Sequence, residues 1–233
     1  MIKAFRKAVI VAVLSTGCAI PLAYAEPAVA NDITQTLMTM ESPAEDMLDA
    51  IDSKDMPKLI NLYHDLETSM STLNRMNTAG NAGESQRKEI AMQNAWFELI
   101  SLEIKEADDL PALANAINQF SGQLIISTHF IHHYQKNIAW MDYLGRELLL
   151  LNKYPTTSTN HAALIKARKL ELQTTWQTVQ AAIGQSAGGA ALIESVDPTI
   201  HALMTESAPD NLVKLSMKEL DLVDNIEKYF HID

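Results

Sequence analysis

The chain has 233 residues, with 29 Asp and Glu against 18 Lys and Arg, a net charge of −11 and one cysteine, Cys18. Three of the basic residues and none of the acidic ones fall within the first 25 positions, so the remainder carries 15 basic against 29 acidic residues, a net −14. That balance argues against nucleic acid or anionic lipid as a partner, since both need clustered Lys and Arg. With no thiol after Cys18, disulfides, thiolate nucleophiles, thiolate-bound zinc or iron–sulfur clusters and covalent haem are excluded there.

Lys3, Arg6 and Lys7 precede the apolar run Ala8 to Leu14, and Ala23-Tyr24-Ala25 offers a small-x-small cleavage site. This pattern predicts a secretory signal peptide over residues 1–25 and a periplasmic mature chain beginning at Glu26. The competing start is a lipoprotein anchored through Cys18, but Leu14 lies four residues before it where a lipobox places leucine three before. No later stretch is apolar enough to predict a transmembrane span in the mature chain.

Residues 26–41 read as a loose leader. Ser42-Pro43-Ala44-Glu45 combines a capping box with proline at the first helical position and predicts a short helix toward Ile51. A second helix is expected from Asp55 and Pro57, with Leu59, Tyr63, Leu66, Met70 and Leu73 as its seam, ending in the Asn77 to Gly83 stretch. A third runs from about Ser85 to Ala107, with Ile90, Phe97, Ile100 and Ile104 inward. Asp108 or Asp109 then caps the next, with Pro111 in its first turn.

That next helix dominates the sequence. Twenty-six residues from Leu110 to Gln135 contain no Asp, Glu, Lys or Arg, and heptad steps from Leu113 to Leu148 extend the pattern to Asn152. Asn115, Asn118, Gln119, Gln123 and three histidines make the stretch too polar for a bilayer core, so it is expected to lie buried among other helices or in a homodimer interface. Pro155 and the Thr156 to Asn160 run form a loop, followed by a helix over Ala162 to Ile183 on Ile165, Leu172, Trp176, Val179 and Ile183. Gly188-Gly189 marks a boundary. Beyond it come short helices near Ala190 to Val196 and from Asp197-Pro198, then a last one over Asp210 to Tyr229 on Leu212, Leu215, Leu222 and Ile226. No alternation of period two appears, and no internal repeat is evident. The expected fold is all-α: an antiparallel bundle over 42–187 around one long central helix, with smaller C-terminal helices over 188–233 packing on it.

Two constellations carry chemistry. His129, His132 and His133, at helical spacings of three and four, would share about 100° of arc and could hold a divalent metal, with His64 and Glu67 as further ligands. The competing reading is a hydrogen-bonded polar belt. Asn118 and Gln123 form the second constellation with their amide neighbours. They either fix helix register or line a cavity with Trp140 and Tyr143 as a ligand wall. Met38-Thr39-Met40 offers thioethers to Cu(I), although ten methionines spread beyond the signal read as core filler. Asp142, Arg146 and Glu147 read as helix-surface charges. Gly-x-Ser-x-Gly, His-Glu-x-x-His and a glycine-rich phosphate loop are absent from the sequence, so no enzyme activity is expected. The function these features support is a periplasmic, non-catalytic binding protein for a small molecule or metal ion. The alternative is an accessory or scaffold protein that binds another envelope protein through a helical face and has no pocket.

Overall fold

The computed structural model describes residues 28–78, 83–106, 109–186 and 188–232. Residues 1–25, where the sequence predicts a signal peptide and its cleavage site, and Cys18 among them, lie outside the described residues. Among the described residues the protein is all-helical, with no strand. The helices are α1 (Ala28–Asp52), α2 (Met56–Met76), α3 (Glu84–Glu106), α4 (Leu110–Ser127), α5 (His133–Lys153), α6 (His161–Gly184), α7 (Gly189–Thr205) and α8 (Pro209–Phe230).

They pack as two four-helix rings of the same order. In the first, α1 lies between α2 and α4, and α3 packs on α4; in the second, α5 lies between α6 and α8, and α7 joins those two. Each ring has its own core, one built on residues such as Leu59, Leu73, Ile100 and Phe120, the other on Met141, Leu148, Trp176, Val196 and Ile226. The division therefore falls between α4 and α5, and Gly188, where the sequence reading began a smaller appendage, is a turn inside the second ring. Its φ of 83° at the N-cap of α7 is a left-handed conformation that favours glycine.

The long central helix is not there. Helix α4 stops at Ser127, Thr128 and His132 are extended, and α5 starts at His133. The apolar seam that seemed to run unbroken from Leu113 to Leu148 belongs to two helices. Its first half (Leu113, Ile117, Phe120, Leu124) fills the first core, and its second half (Ile138, Met141, Leu148) fills the second. Ile131, placed on that seam by spacing, is 88% exposed in the connection. The uncharged composition of α4 follows from its surroundings: it packs on α1 and α3 of its own ring and on α5 where the rings meet.

Helix α1 is longer than expected, starting at Ala28 and running through Pro43. An internal proline costs a helix about 3 kcal/mol through its missing N–H and ring clash. Burial of Ile33, Leu37, Met40, Ala44, Met47 and Ile51 along one face outweighs that loss, since each large apolar side chain removed from water contributes roughly 1.5–3 kcal/mol. The loose-leader reading missed this ladder. Met40 is in the core and Met38 is on the exposed side, so the two thioethers do not face one site.

Candidate functional site

The histidines do not converge. His129 lies in the α4–α5 connection, His132 is the residue before α5 and His133 its first, and all three are exposed. Spacings of three and four had put them on one arc only on the assumption of a continuous helix. His132 stacks on Tyr134, which stacks on Phe230 of α8. His64 and Glu67 sit together on the outer face of α2, with Nδ1 and Oε2 3.3 Å apart. Among the described residues no group of three His, Cys, Asp or Glu has a geometry that could hold a metal ion.

The amides of α4, by contrast, are bonded, with Asn118 buried and Gln119 and Gln123 half-buried; Asn115 is exposed. Glu147 of α5, only 5% exposed, accepts from the Gln119 amide at 2.6 Å and the Asn118 amide at 3.2 Å, both on α4. Arg168 of α6 reaches its other oxygen at 3.2 Å. The Tyr143 hydroxyl donates to Gln119 Oε1 at 3.2 Å, and burial together with Glu147 pushes its pKa well up, so it stays protonated. Trp140 stacks on Tyr143 and donates from its indole N–H to Glu171 at 2.9 Å. Gln123 bonds Ser127 one turn away. Asn118, Trp140 and Tyr143 are thus brought together, but around a carboxylate that locks α4, α5 and α6 in register. Glu147, read from sequence as a surface charge, is its centre.

Two concave regions stand out among the described residues. The larger, about 1540 Å³, is a cleft where α1 of the first ring faces α5 and α8 of the second. Glu41, Glu45, Asp49, Asp52, Asp142, Asp224 and Glu227 line it against two basic residues, Arg146 and Lys153. Arg146 is 9% exposed and bridges the rings. It pairs with Asp142 at 2.6 Å on its own helix and with Glu45 of α1 at 3.0 Å. Burial pushes the Asp142 carboxyl well up, with Arg146 opposing. Beside this pair lies Glu219 of α8, fully buried, neither carboxyl oxygen having a hydrogen-bond partner, against the backbone of Gly145. Burial, reinforced by Asp142 and opposed by Arg146, drives its pKa well up, which favours the neutral acid.

The smaller region is a cavity of about 460 Å³ beneath the α5–α6 loop and the α7–α8 turn. Ile165, Leu170, Met204, Pro209 and Leu212 form its apolar walls; Lys166 and His161 stand at the rim. Lys169, 7% exposed, is the buried charge in its wall. Its Nζ donates to the Glu206 carbonyl oxygen at 2.6 Å, so the lysine also serves the C-terminus of α7. The Glu206 carboxylate is turned elsewhere, accepting from Ser207 N–H, Ala208 N–H and the Asn211 amide at 2.7 to 2.8 Å, which lowers its pKa. Lys169 makes no ion pair among the described residues, and burial lowers its pKa, with Glu206 partly opposing. A signal for this site existed in sequence. Ile165, Lys169, Leu172 and Trp176 fall at steps of four, three and four, so a lysine occupies the apolar seam of α6.

Comparison of the chain with protein-family models, curated proteins and solved structures finds no match. Function is therefore argued from the site alone.

Proposed function

We propose that this chain is an exported, non-catalytic binding protein for a small, largely apolar molecule seated in the α6 cavity. The observation that carries the proposal is the cavity itself. Its volume of about 460 Å³ falls in the roughly 300–1,000 Å³ range of small-molecule sites, and a mostly apolar wall with a few polar groups is their usual chemistry. Export is supported by the basic, apolar and small-residue order of the first 25 positions. Metal as the ligand loses its support with the dispersal of His129, His132 and His133. One observation favours the scaffold reading: Ile131, 88% exposed, and Ile126, 47% exposed, lie at the end of α4 and in the connection after it, where a partner could cover them.

The neutral apolar dye Nile red tests the proposal. One dye per chain should bind saturably with enhanced emission, and Ala162→Trp, which places an indole in the cavity mouth, should abolish it. Absence of saturable binding, or binding indifferent to Ala162→Trp, overturns the cavity as a ligand site.

A further inference from the structure

Lys169 buries a positive charge in an apolar wall and, among the described residues, donates one hydrogen bond, to a neutral carbonyl oxygen. An ammonium has three donors, and the nearest acid, Glu206, spends both of its oxygens on the start of α8. A buried cation without a counter-ion is costly, and an anion brought in by a ligand offsets that cost. Lys166 is exposed and His161 half-buried at the rim, so the interior presents one unit of charge rather than two. A dianion such as phosphate would be left half-compensated and would not cover the walls. A neutral molecule would leave Lys169 as it is, and an amine would be repelled.

We propose that the ligand is an apolar monocarboxylate, its carboxylate on Lys169 and its hydrocarbon against Ile165, Met204 and Leu212. This rests on the small-molecule reading of the same cavity and names its ligand class. Displacement of Nile red from the full protein by decanoate, 1-decanol, decylamine and inorganic phosphate tests it without a variant. Decanoate should displace the dye at a concentration at least about tenfold below that of decanol, because a charge-assisted bond is gained. Decylamine should be weaker than decanol, and phosphate ineffective.

If dye binding is saturable and sensitive to Ala162→Trp but decanol matches decanoate, the carboxylate assignment falls and the small-molecule reading stands. If no dye binds saturably, the reading itself falls. Lys169→Gln, whose amide can still donate toward Glu206, should bring decanoate to within about twofold of decanol while leaving decanol unchanged. A folded Lys169→Gln protein that keeps the decanoate preference overturns the assignment. If that variant fails to fold, as circular dichroism would show, the ligand series on the unaltered protein decides.

Discussion

Arg146 of α5 reaches across to Glu45 of α1 at 3.0 Å while holding Asp142 on its own helix, so one guanidinium joins the two rings. The Ser121 hydroxyl of α4 lies 3.4 Å from its second terminal nitrogen. Burial alone would lower the pKa of Arg146, but Asp142, Glu45 and Glu41 raise it, so it stays charged throughout the accessible range. A second tie between the same helices, Lys153 to Asp52, is partly exposed and for that reason contributes little.

Replacing Arg146 with Met leaves Asp142 buried beside Glu219 with no neighbouring cation. Removal of one partner from a buried pair costs about 3–5 kcal/mol, and we expect a loss of that order in urea unfolding. Lys153→Met should cost under about 1 kcal/mol. The double variant Arg146→Met, Asp142→Asn should recover part of the first loss. Equal, small effects of Arg146→Met and Lys153→Met would remove Arg146 as the clamp.

At Gly145, α8 packs closely on α5. A Cβ added there would meet Glu219 Oε2 and approach the Leu220 side chain to 2.9 Å, and Glu219 has no exposed space to retreat into. Gly145→Ala should therefore destabilise by about 1–3 kcal/mol through overpacking. This is opposite in sign to the usual helix preference for alanine. Gly184→Ala, at the end of α6 with nothing within 4 Å, should be neutral or stabilising by up to about 1 kcal/mol. Thermal melts of the two variants compare directly, and a stabilising Gly145→Ala would contradict the close approach.

Glu147 collects Asn118, Gln119 and Arg168 from two other helices. Glu147→Ala strands the buried Asn118 amide and the half-buried Gln119 amide, and a buried group left unsatisfied costs about 1–3 kcal/mol. We expect a loss of several kcal/mol and earlier hydrogen exchange in α4. Tyr143→Phe, which removes one donor to Gln119, should cost only about 1 kcal/mol. If Glu147→Ala were as mild as Tyr143→Phe, the register role would be untenable.

How much of this the sequence made legible follows from which signals are local. Helical period, the start of α2 at Asp55 and Pro57, a cap at the second of the Asp108–Asp109 pair and the apolar seams of α2 and α6 are written in neighbouring residues and appear where expected. The break after Ser127 was not legible, because seam spacing continued across it by coincidence while the two halves served different cores. The histidine site was lost with that break. The buried charges were misread for a related reason. Asp142, Arg146 and Glu147 look like surface residues until neighbouring helices are placed. Glu219, however, follows Leu212 and Ser216 and precedes Val223 and Ile226 at steps of four, three, four and three, and a carboxylate at such a position already reads as buried. The repeated ring left no trace by eye, since packing order is shared while side chains differ.

Glu219 gives the clearest pH prediction. Burial, with Asp142 adding to it and Arg146 opposing, raises its folded pKa well above the ordinary carboxylate value, so the native state binds this proton more tightly than the unfolded chain. Stability from that preference is fully present below the unfolded carboxylate range and is lost as pH rises from there toward the raised folded pKa. Above the unfolded range, the native state either takes up a proton from solution or buries a carboxylate without a hydrogen-bond donor. Glu219→Gln keeps the shape and removes the titration. It should therefore gain at least about 1 kcal/mol over the parent protein near pH 7, with the gain shrinking to nothing near about pH 3, below the unfolded carboxylate range, where the acid is neutral in both states. Asp142, also raised, keeps some pH dependence in the variant, so the decisive quantity is the difference between the two urea-unfolding curves across pH. A difference that stayed constant from acid to neutral would mean that Glu219 does not titrate with folding, and its placement against Gly145 would have to be revised.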